Sequence, residues 1–353
     1  MTPRITFLVT YPRDVDPQRE AIAQDIAALA EQTQAQVLHI APPERLRPIF
    51  PERLFGMWLL PQLRRLSQTT DVFHVWHGHP RFFSLFNLLN TRCTPVVYSV
   101  VSGLRPHHPP AQAQRFNTLA RLLVSNDRDA RQLSAWNIHN QAVIRAGIRV
   151  ERFIKTPPPP VGPGQPFRLL MGSAPWSLAG FQHKGIDGLL DAMTQLPNLQ
   201  VAFLWRGFVY DEMMARIRSR HLQDRAQVLN EKADVNAQLE RAHAAILTVD
   251  DASTVKAYPN SLMEAVVSGR PVIVSQPIPM SDDVTANGYG VVVPDVAPRT
   301  LVAAIQELMT HYPRYQQAAE AYPAQAFSRE RWQQAHLALY QALIQPANPA
   351  PAG

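Results

Sequence analysis

The residues best suited to chemistry fall in Lys256–Ser275, KAYPNSLMEAVVSGRPVIVS. Pro259 fits the opening of a helix, where a residue without an amide hydrogen costs nothing and a preset φ helps, and Gly269 fits its stop. The start of such a helix offers unbonded amides and the positive end of the peptide dipole, which suits an anion such as phosphate. One turn inside stands a lone carboxylate, Glu264. Ser261-Leu262-Met263-Glu264 also satisfies the S-x-x-E capping box, with Ser261 as N-cap and Glu264 closing back on it. The two readings exclude each other, because Pro259 prefers the first helical position. A start at Pro259 is favoured, and it leaves Glu264 outside a capping box. Asp250 and Asp251 form a carboxylate pair or a polar turn at a strand end. His77 and His79 have a spacing that can ligate a metal, but no third ligand stands at a telling distance, so no metal site is assigned. His107 and His108 lie in a proline-flanked loop, RPHHPP, and either face a ligand or form plain surface. Cys93 is the only cysteine, which excludes an intramolecular disulfide and fits a reducing compartment.

These residues need a frame, and the apolar runs supply one. RITFLVTY, AQVLHIA, DVFHVW, PVVYSVV, RLLVSN and AVIRAG alternate with amphipathic stretches such as Gln18–Leu29 and Asp127–Trp136. That rhythm predicts a parallel sheet with helices on both faces. A second series follows: FRLLMGSA, VAFLWRG, AQVLN, AAILTVD, PVIVS and YGVVVP, with helices near Ile186–Met193, Asp211–Arg220 and Pro298–Thr310. The expected fold class is α/β, two doubly wound Rossmann-like domains facing a cleft, with ligands at the carboxyl ends of the strands. The expected division is 1–155 for the first domain, 156–166 for a proline-rich linker (TPPPPVGPGQP) and 167–320 for the second. A C-terminal helix within 321–345 is expected to pack back on the first domain, before a disordered tail at 346–353.

A chain of 353 residues can bury two substantial cores. No run is long and apolar enough to span a bilayer, and the N-terminal MTPRITFLVTYPRD reads as a strand rather than a signal peptide. The net charge of +6 suits a phosphate-rich ligand or an anionic surface. The arginines are dispersed and no recognition motif accompanies them, which argues against nucleic acid. RLFGMWLLPQLRR (Arg53–Arg65) and RFFSLFNLLNTR (Arg81–Arg92) combine apolar patches with arginines. Each fits a buried helix; together they also fit peripheral contact with an anionic membrane. The expected location is cytoplasmic, with the inner face of the membrane as an option.

The segment Lys256–Ser275 closely resembles the nucleotide-sugar motif of retaining glycosyltransferases of family 4, E-x7-E, with Glu264 as the second glutamate and Lys256 at the place of the first. GSAPWSLAGFQHKGIDGLLDAM resembles the same family's loop that neutralises the donor diphosphate with an arginine and a lysine. Lys184 matches the lysine, Ser173 stands at the arginine, and His183 is a candidate for part of the missing charge. FLWRGFVYDEM resembles the family's strand and turn, with Arg206 and Gly207 at the turn, and VLNEKADVNAQLERAHAAILTVDD matches the region that usually holds the base, which suggests Asn230 and Lys232. LLVSNDRDARQLSAWNI and AVIRAGIRVERF resemble first-domain segments.

The resemblance implies a metal-independent GT-B enzyme that moves a sugar from a nucleotide-sugar to a saccharide, lipid or small-molecule acceptor, with retention of configuration and no cofactor beyond that donor substrate. Glu264 would hold the ribose, Lys184 the diphosphate, and the amides near Asn260, Ser261 and Leu262 the phosphate end. Lys256 has only donors where the family's glutamate accepts hydrogen bonds from the donor sugar. A lysine there fits a phosphate, a donor-sugar carboxylate or a degenerate site. His77, His79 and His107 would lie on the acceptor side. The competing reading is a non-catalytic relative that binds a nucleotide-sugar or serves as a scaffold.

Overall fold

Short, apolar, β-branched runs buried on both faces make the centres of both sheets. The computed structural model describes residues 3–11, 20–42, 51, 54–90, 94–162, 164–205 and 209–345. Strands β1 (Ile5–Val9), β2 (Gln36–His39), β3 (Val72–His77), β4 (Val96–Val100), β5 (Arg121–Val124) and β6 (Gln141–Val143) form one parallel sheet in the order β2-β1-β3-β4-β5-β6. Strands β7 (Phe167–Met171), β8 (Leu199–Leu204), β9 (Ala226–Leu229), β10 (Ala244–Leu247), β11 (Val272–Ser275) and β12 (Gly290–Val293) form the other, in the order β12-β11-β10-β7-β8-β9. Each of the twelve overlaps a run expected to be a strand. The second sheet starts at its centre, builds outward through β8 and β9, then restarts beside β7 with β10. That reversal opens a crevice between the carboxyl ends of β7 and β10.

Side chains alternate across each strand, so each sheet feeds two cores. In the first sheet Leu8, Phe73, Val75 and Tyr98 pack on one face, and Phe7, Val9, Val72, Trp76 and Val97 on the other. In the second, Leu169, Met171 and Ile246 face one layer while Leu170, Ala245 and Leu247 face the opposite one. The expected amphipathic helices appear at Ala21–Thr33, Asp127–Ala135, Ile186–Gln195, Tyr210–Ser219, Pro298–Thr310 and Arg329–Ile344. Four helices were not anticipated: Ala179–His183, Val235–Arg241, Met280–Asn287 and Tyr312–Ala321. The third begins within QPIPMSDDV, the segment after β11. Its prolines precede the helix, where their missing amides leave the ladder intact, and Pro279 already has helical φ and ψ.

The chain divides into two compact units, 1–145 with 330–353 and 146–329. The break therefore precedes the proline-rich stretch, which belongs to the second unit and is not a linker between the two. Arg270 explains why. Its side chain is fully buried, and its guanidinium donates to the carbonyls of Leu239 (3.0 Å), Ala242 (2.9 Å), Thr156 (2.8 Å) and Pro157 (3.3 Å) and to Thr156 Oγ1 (2.9 Å). These acceptors are all neutral, and burial pulls the Arg270 pKa down from its ordinary value. Proline gives up its amide but keeps its carbonyl, so a proline-rich segment still serves as an acceptor strap. Residues 321–329 also stay with the second unit, through the bridge of Ser328 to Ile148. A Cβ on Gly147 would lie 2.5 Å from the Ser328 carbonyl oxygen, so only glycine fits there.

Helix Arg329–Ile344 brings Trp332 and Tyr340 into the first unit's core. Buried His74 is held between Tyr340 Oη (2.5 Å from Nδ1) and Ser99 Oγ (2.8 Å from Nε2). His336 stacks on Trp76, with ring centroids 5.6 Å apart. Burial pushes the pKa of His74 well below the ordinary value, with the neighbouring His336 adding to it, and brings His336 down to about 4. The tail 346–353, Arg53, Arg92, Cys93, Arg206 and Gly207 lie outside the described residues.

Candidate functional site

The second sheet's crevice collects most of the residues singled out in the sequence. After β7 the chain turns at Gly172, and a Cβ built there would lie 2.6 Å from Ser261 Cβ. Glycine is thus required for the β7 loop to touch the start of helix Asn260–Val267. Ser173, the next residue, has its Oγ 2.7 Å from Lys184 Nζ, which also donates to the Ala174 carbonyl at 3.3 Å. Lys184 is 7 % exposed, so its cation is held inside the loop rather than on a solvated surface. The order Lys184, Ser173, Gly172, Ser261 runs as one line of contacts across the β7–β10 crevice.

The lysine is held at its backbone as well. Gly185 sits at φ +64°, and a Cβ there would lie 2.5 Å from Thr248 Oγ1. That hydroxyl donates to the Lys184 carbonyl at 3.2 Å. Asp250 adds two ties to the same turn: its amide donates to the His183 carbonyl (3.0 Å), and Oδ2 lies 2.8 Å from His183 Nδ1. His183, then, is paired with a carboxylate. Asp251 behaves as a polar turn, accepting from the Ser253 amide at 2.9 Å. Ser275, at the end of β11, bonds both the amide and the carbonyl of Val249 at 2.7 and 2.8 Å. Thr248 and Ser275 are positioning residues that the sequence reading missed, because their partners, Lys184 and Val249, are distant in sequence.

Helix Asn260–Val267 begins one residue later than expected. Pro259 is its N-cap, with extended ψ of 132°, and its carbonyl accepts from the amides of Leu262 and Met263, both at 3.1 Å. Ser261 lies inside the helix, so the capping box is not formed. The amides of Asn260 and Ser261 precede the helical ladder, at the positive end of the helix. Leu262, Met263, Val266 and Val267 are buried and fix the rotation of the helix, which leaves Glu264 half-buried. Lys256 Nζ donates to Asn260 Oδ1 at 2.8 Å, so this lysine is fastened to the helix start by the residue four further on. The result is two cations and a helix N-terminus around the crevice, an arrangement that can bind a diphosphate.

Other expected residues stand apart. Asn230 and Lys232 are exposed beyond the end of the edge strand β9, which β8 separates from β7. In the first unit, His77 ends β3 and His79 follows it. His77 Nδ1 accepts from the His79 amide at 2.9 Å, and the His79 carbonyl accepts from Tyr98 Oη at 2.6 Å. Among the described residues no group of three histidines, cysteines or carboxylates could hold a metal ion. His79 lines a cavity of about 580 Å3 together with His108; His107 does not line it. Among the described residues no helix is long and apolar enough to cross a membrane.

Residues 179–325 match the family model for glycosyl transferases group 1. That span holds Lys184, Lys256 and helix Asn260–Val267. Solved structures are similar over almost the whole chain. HepE from Anabaena, in complex with UDP, is 15 % identical with a TM-score of 0.69, covering 96 % of this chain and 100 % of its own. A glycosyltransferase from Rickettsia africae is 14 % identical with a TM-score of 0.69, covering 98 % and 100 %. The fold is GT-B. Sucrose-phosphate synthase from Thermosynechococcus elongatus shares the GT-B fold at 14 % identity and a TM-score of 0.66, covering 97 % of this chain and 99 % of its own. A comparison with curated proteins finds no match.

Proposed function

We propose that the protein is a glycosyltransferase that takes its sugar from a nucleotide-diphosphate-sugar. The observation that carries this reading is the line of contacts from Lys184 through Ser173 and Gly172 to the start of helix Asn260–Val267 at the β7–β10 reversal. Breaking the bond from sugar to diphosphate leaves charge on the departing phosphate. A preorganised cation and oriented amides stabilise that charge at no cost of reorganisation. Glu264 is assigned to the ribose hydroxyls. The group 1 match and the UDP bound to HepE support a nucleoside diphosphate, with UDP as the first to test. Retention of configuration, membership of family 4, and the absence of a metal or further cofactor are part of the same proposal. So are a saccharide, lipid or small-molecule acceptor and a cytoplasmic site of action with peripheral membrane contact.

Lys256 favours a second reading, a relative that binds the donor without transferring it. A lysine fastened to Asn260 cannot accept a hydrogen bond from a sugar hydroxyl. Thermal shift against a panel of nucleoside diphosphates and nucleotide-sugars, followed by donor turnover, separates the two. A stabilisation that Glu264→Ala removes, with release of nucleoside diphosphate on adding acceptor, supports transfer. Binding without turnover supports the second reading, and no stabilisation by any nucleotide sinks both.

A further inference from the structure

The turn that carries Lys184 is gripped by a single side chain from another helix. Arg216, on helix Tyr210–Ser219, touches the chain on both sides of that lysine. Its Cζ lies 4.4 Å from the centre of the Phe181 ring, three residues before Lys184. Its Nη1 lies 2.5 Å from Oδ1 of Asp187, three residues after Lys184. Nη2 pairs with Glu212 Oε1 at 2.9 Å, one turn back on its own helix.

Both anchors are set in the fold. Phe181 is fully buried, and its ring centre lies 5.9 Å from that of Trp205, just past the end of β8. Asp187 stands in the first turn of helix Ile186–Gln195, where a carboxylate meets the positive end of the peptide dipole. That helix is closely packed: a Cβ on Gly188 would lie 2.2 Å from the Val296 carbonyl oxygen. Lys184 itself caps the end of helix Ala179–His183, and Gly185, at φ +64°, separates it from the helix that follows. Two helices meeting at a glycine form a joint, and the angle of that joint sets where the lysine stands.

A guanidinium suits such a joint. Its face lies on a ring while its edge bonds carboxylates, and an ammonium lacks the flat fork that does both. Two carboxylates balance the Arg216 charge, so it is committed to the protein and not to a ligand phosphate. Among the described residues its Nε is buried without a hydrogen-bond partner, an unfavourable state that the other three contacts outweigh.

We propose that Arg216 is a positioning residue for Lys184: by holding Phe181 and Asp187 together it fixes the joint at Gly185, and with it the cation that meets the donor diphosphate. This rests on the donor reading above, which gives Lys184 its ligand.

A double-mutant cycle of Arg216→Ala and Lys184→Ala tests it, read by titration calorimetry with UDP, or with GDP and ADP if UDP does not bind. Urea unfolding is measured on each variant. Arg216→Ala should weaken nucleotide binding by about tenfold when Lys184 is present. In the Lys184→Ala background the same change should cost less than about twofold, because the group it positions is gone. Any loss of stability should be the same in both backgrounds. Arg218→Ala, an exposed arginine on the same helix, should leave binding unchanged. If Arg216→Ala does not fold, Arg216→Lys, which keeps the charge without the fork, enters the same cycle and must show the same dependence on Lys184. Equal loss of affinity in both backgrounds, no loss in either, or an equal loss from Arg218→Ala overturns this inference alone. A wild type that binds none of the three nucleotides sinks the donor reading, and this inference with it.

Discussion

The two units wind their sheets in much the same way but differ in the polar groups they bury. The second keeps cations in its interior: Arg270 among carbonyls, and Lys184 against Ser173 and Ala174. The first instead buries His74 and His336, which the protein holds neutral, on helix Arg329–Ile344 and the strand beneath it. A guanidinium cannot shed its proton, so its burial is tolerable only with many aligned acceptors. An imidazole escapes the same cost by losing its charge. The second unit buries one such imidazole too, His243, so among the described residues what sets it apart is that only it buries permanent cations.

The largest expected effect breaks the cation side. Arg270→Ala strands several carbonyls and should cost about 3 to 5 kcal/mol in urea unfolding. Arg270→Lys should recover little of it, because an ammonium lacks the planar fork. A loss below about 1 kcal/mol would show that the strap is decorative. Acid breaks the other side. His336 is lowered by burial to about 4, so its folded form resists the proton that the unfolded form accepts near pH 6.5. The contribution is whole above pH 6.5 and is lost as pH falls toward 4, for about 3 kcal/mol in all, with His74 acting in the same direction. Hydrogen exchange at pH 7 and pH 5 should loosen helix Arg329–Ile344 and β3. His336→Leu should blunt that response, and an unchanged response would show that His336 is not its source.

Lys184→Ala sharpens the comparison at the site. Donor turnover should fall about 100-fold, with unfolding barely altered away from this loop. A change in KM with kcat intact would make the lysine a binding group only. Gly172→Ala should give the smallest effect, about 1 to 3 kcal/mol, by forcing the β7 loop off Ser261, and should weaken UDP binding alongside. Unchanged UDP affinity would mean that the contact does not shape the site.

The strands were legible because fully buried parallel strands carry unbroken β-branched runs, as PVIVS and PVVYSVV do. Lys184 and helix Asn260–Val267 were legible from local pattern. What joins them was not: Thr248 reaches Lys184, and Gly172 meets Ser261, only because β10 returns beside β7. The proline-rich stretch was misread because proline density speaks about amides, while Arg270 uses the carbonyls. His74 and Tyr340 are 266 residues apart, and no periodicity announces such a pair. The helix start slipped by one residue because proline suits both the N-cap found here and the position after it.

The Arg270 clasp also decides where the second unit can be cut. A fragment that starts at Phe167, the first residue of β7, leaves behind both the Thr156 and Pro157 acceptors and the Ile148 bridge to Ser328. Its arginine would face a vacated groove. A fragment that keeps these ties opens at Ala146 and closes at Arg329, with the proline run acting as its first stitch.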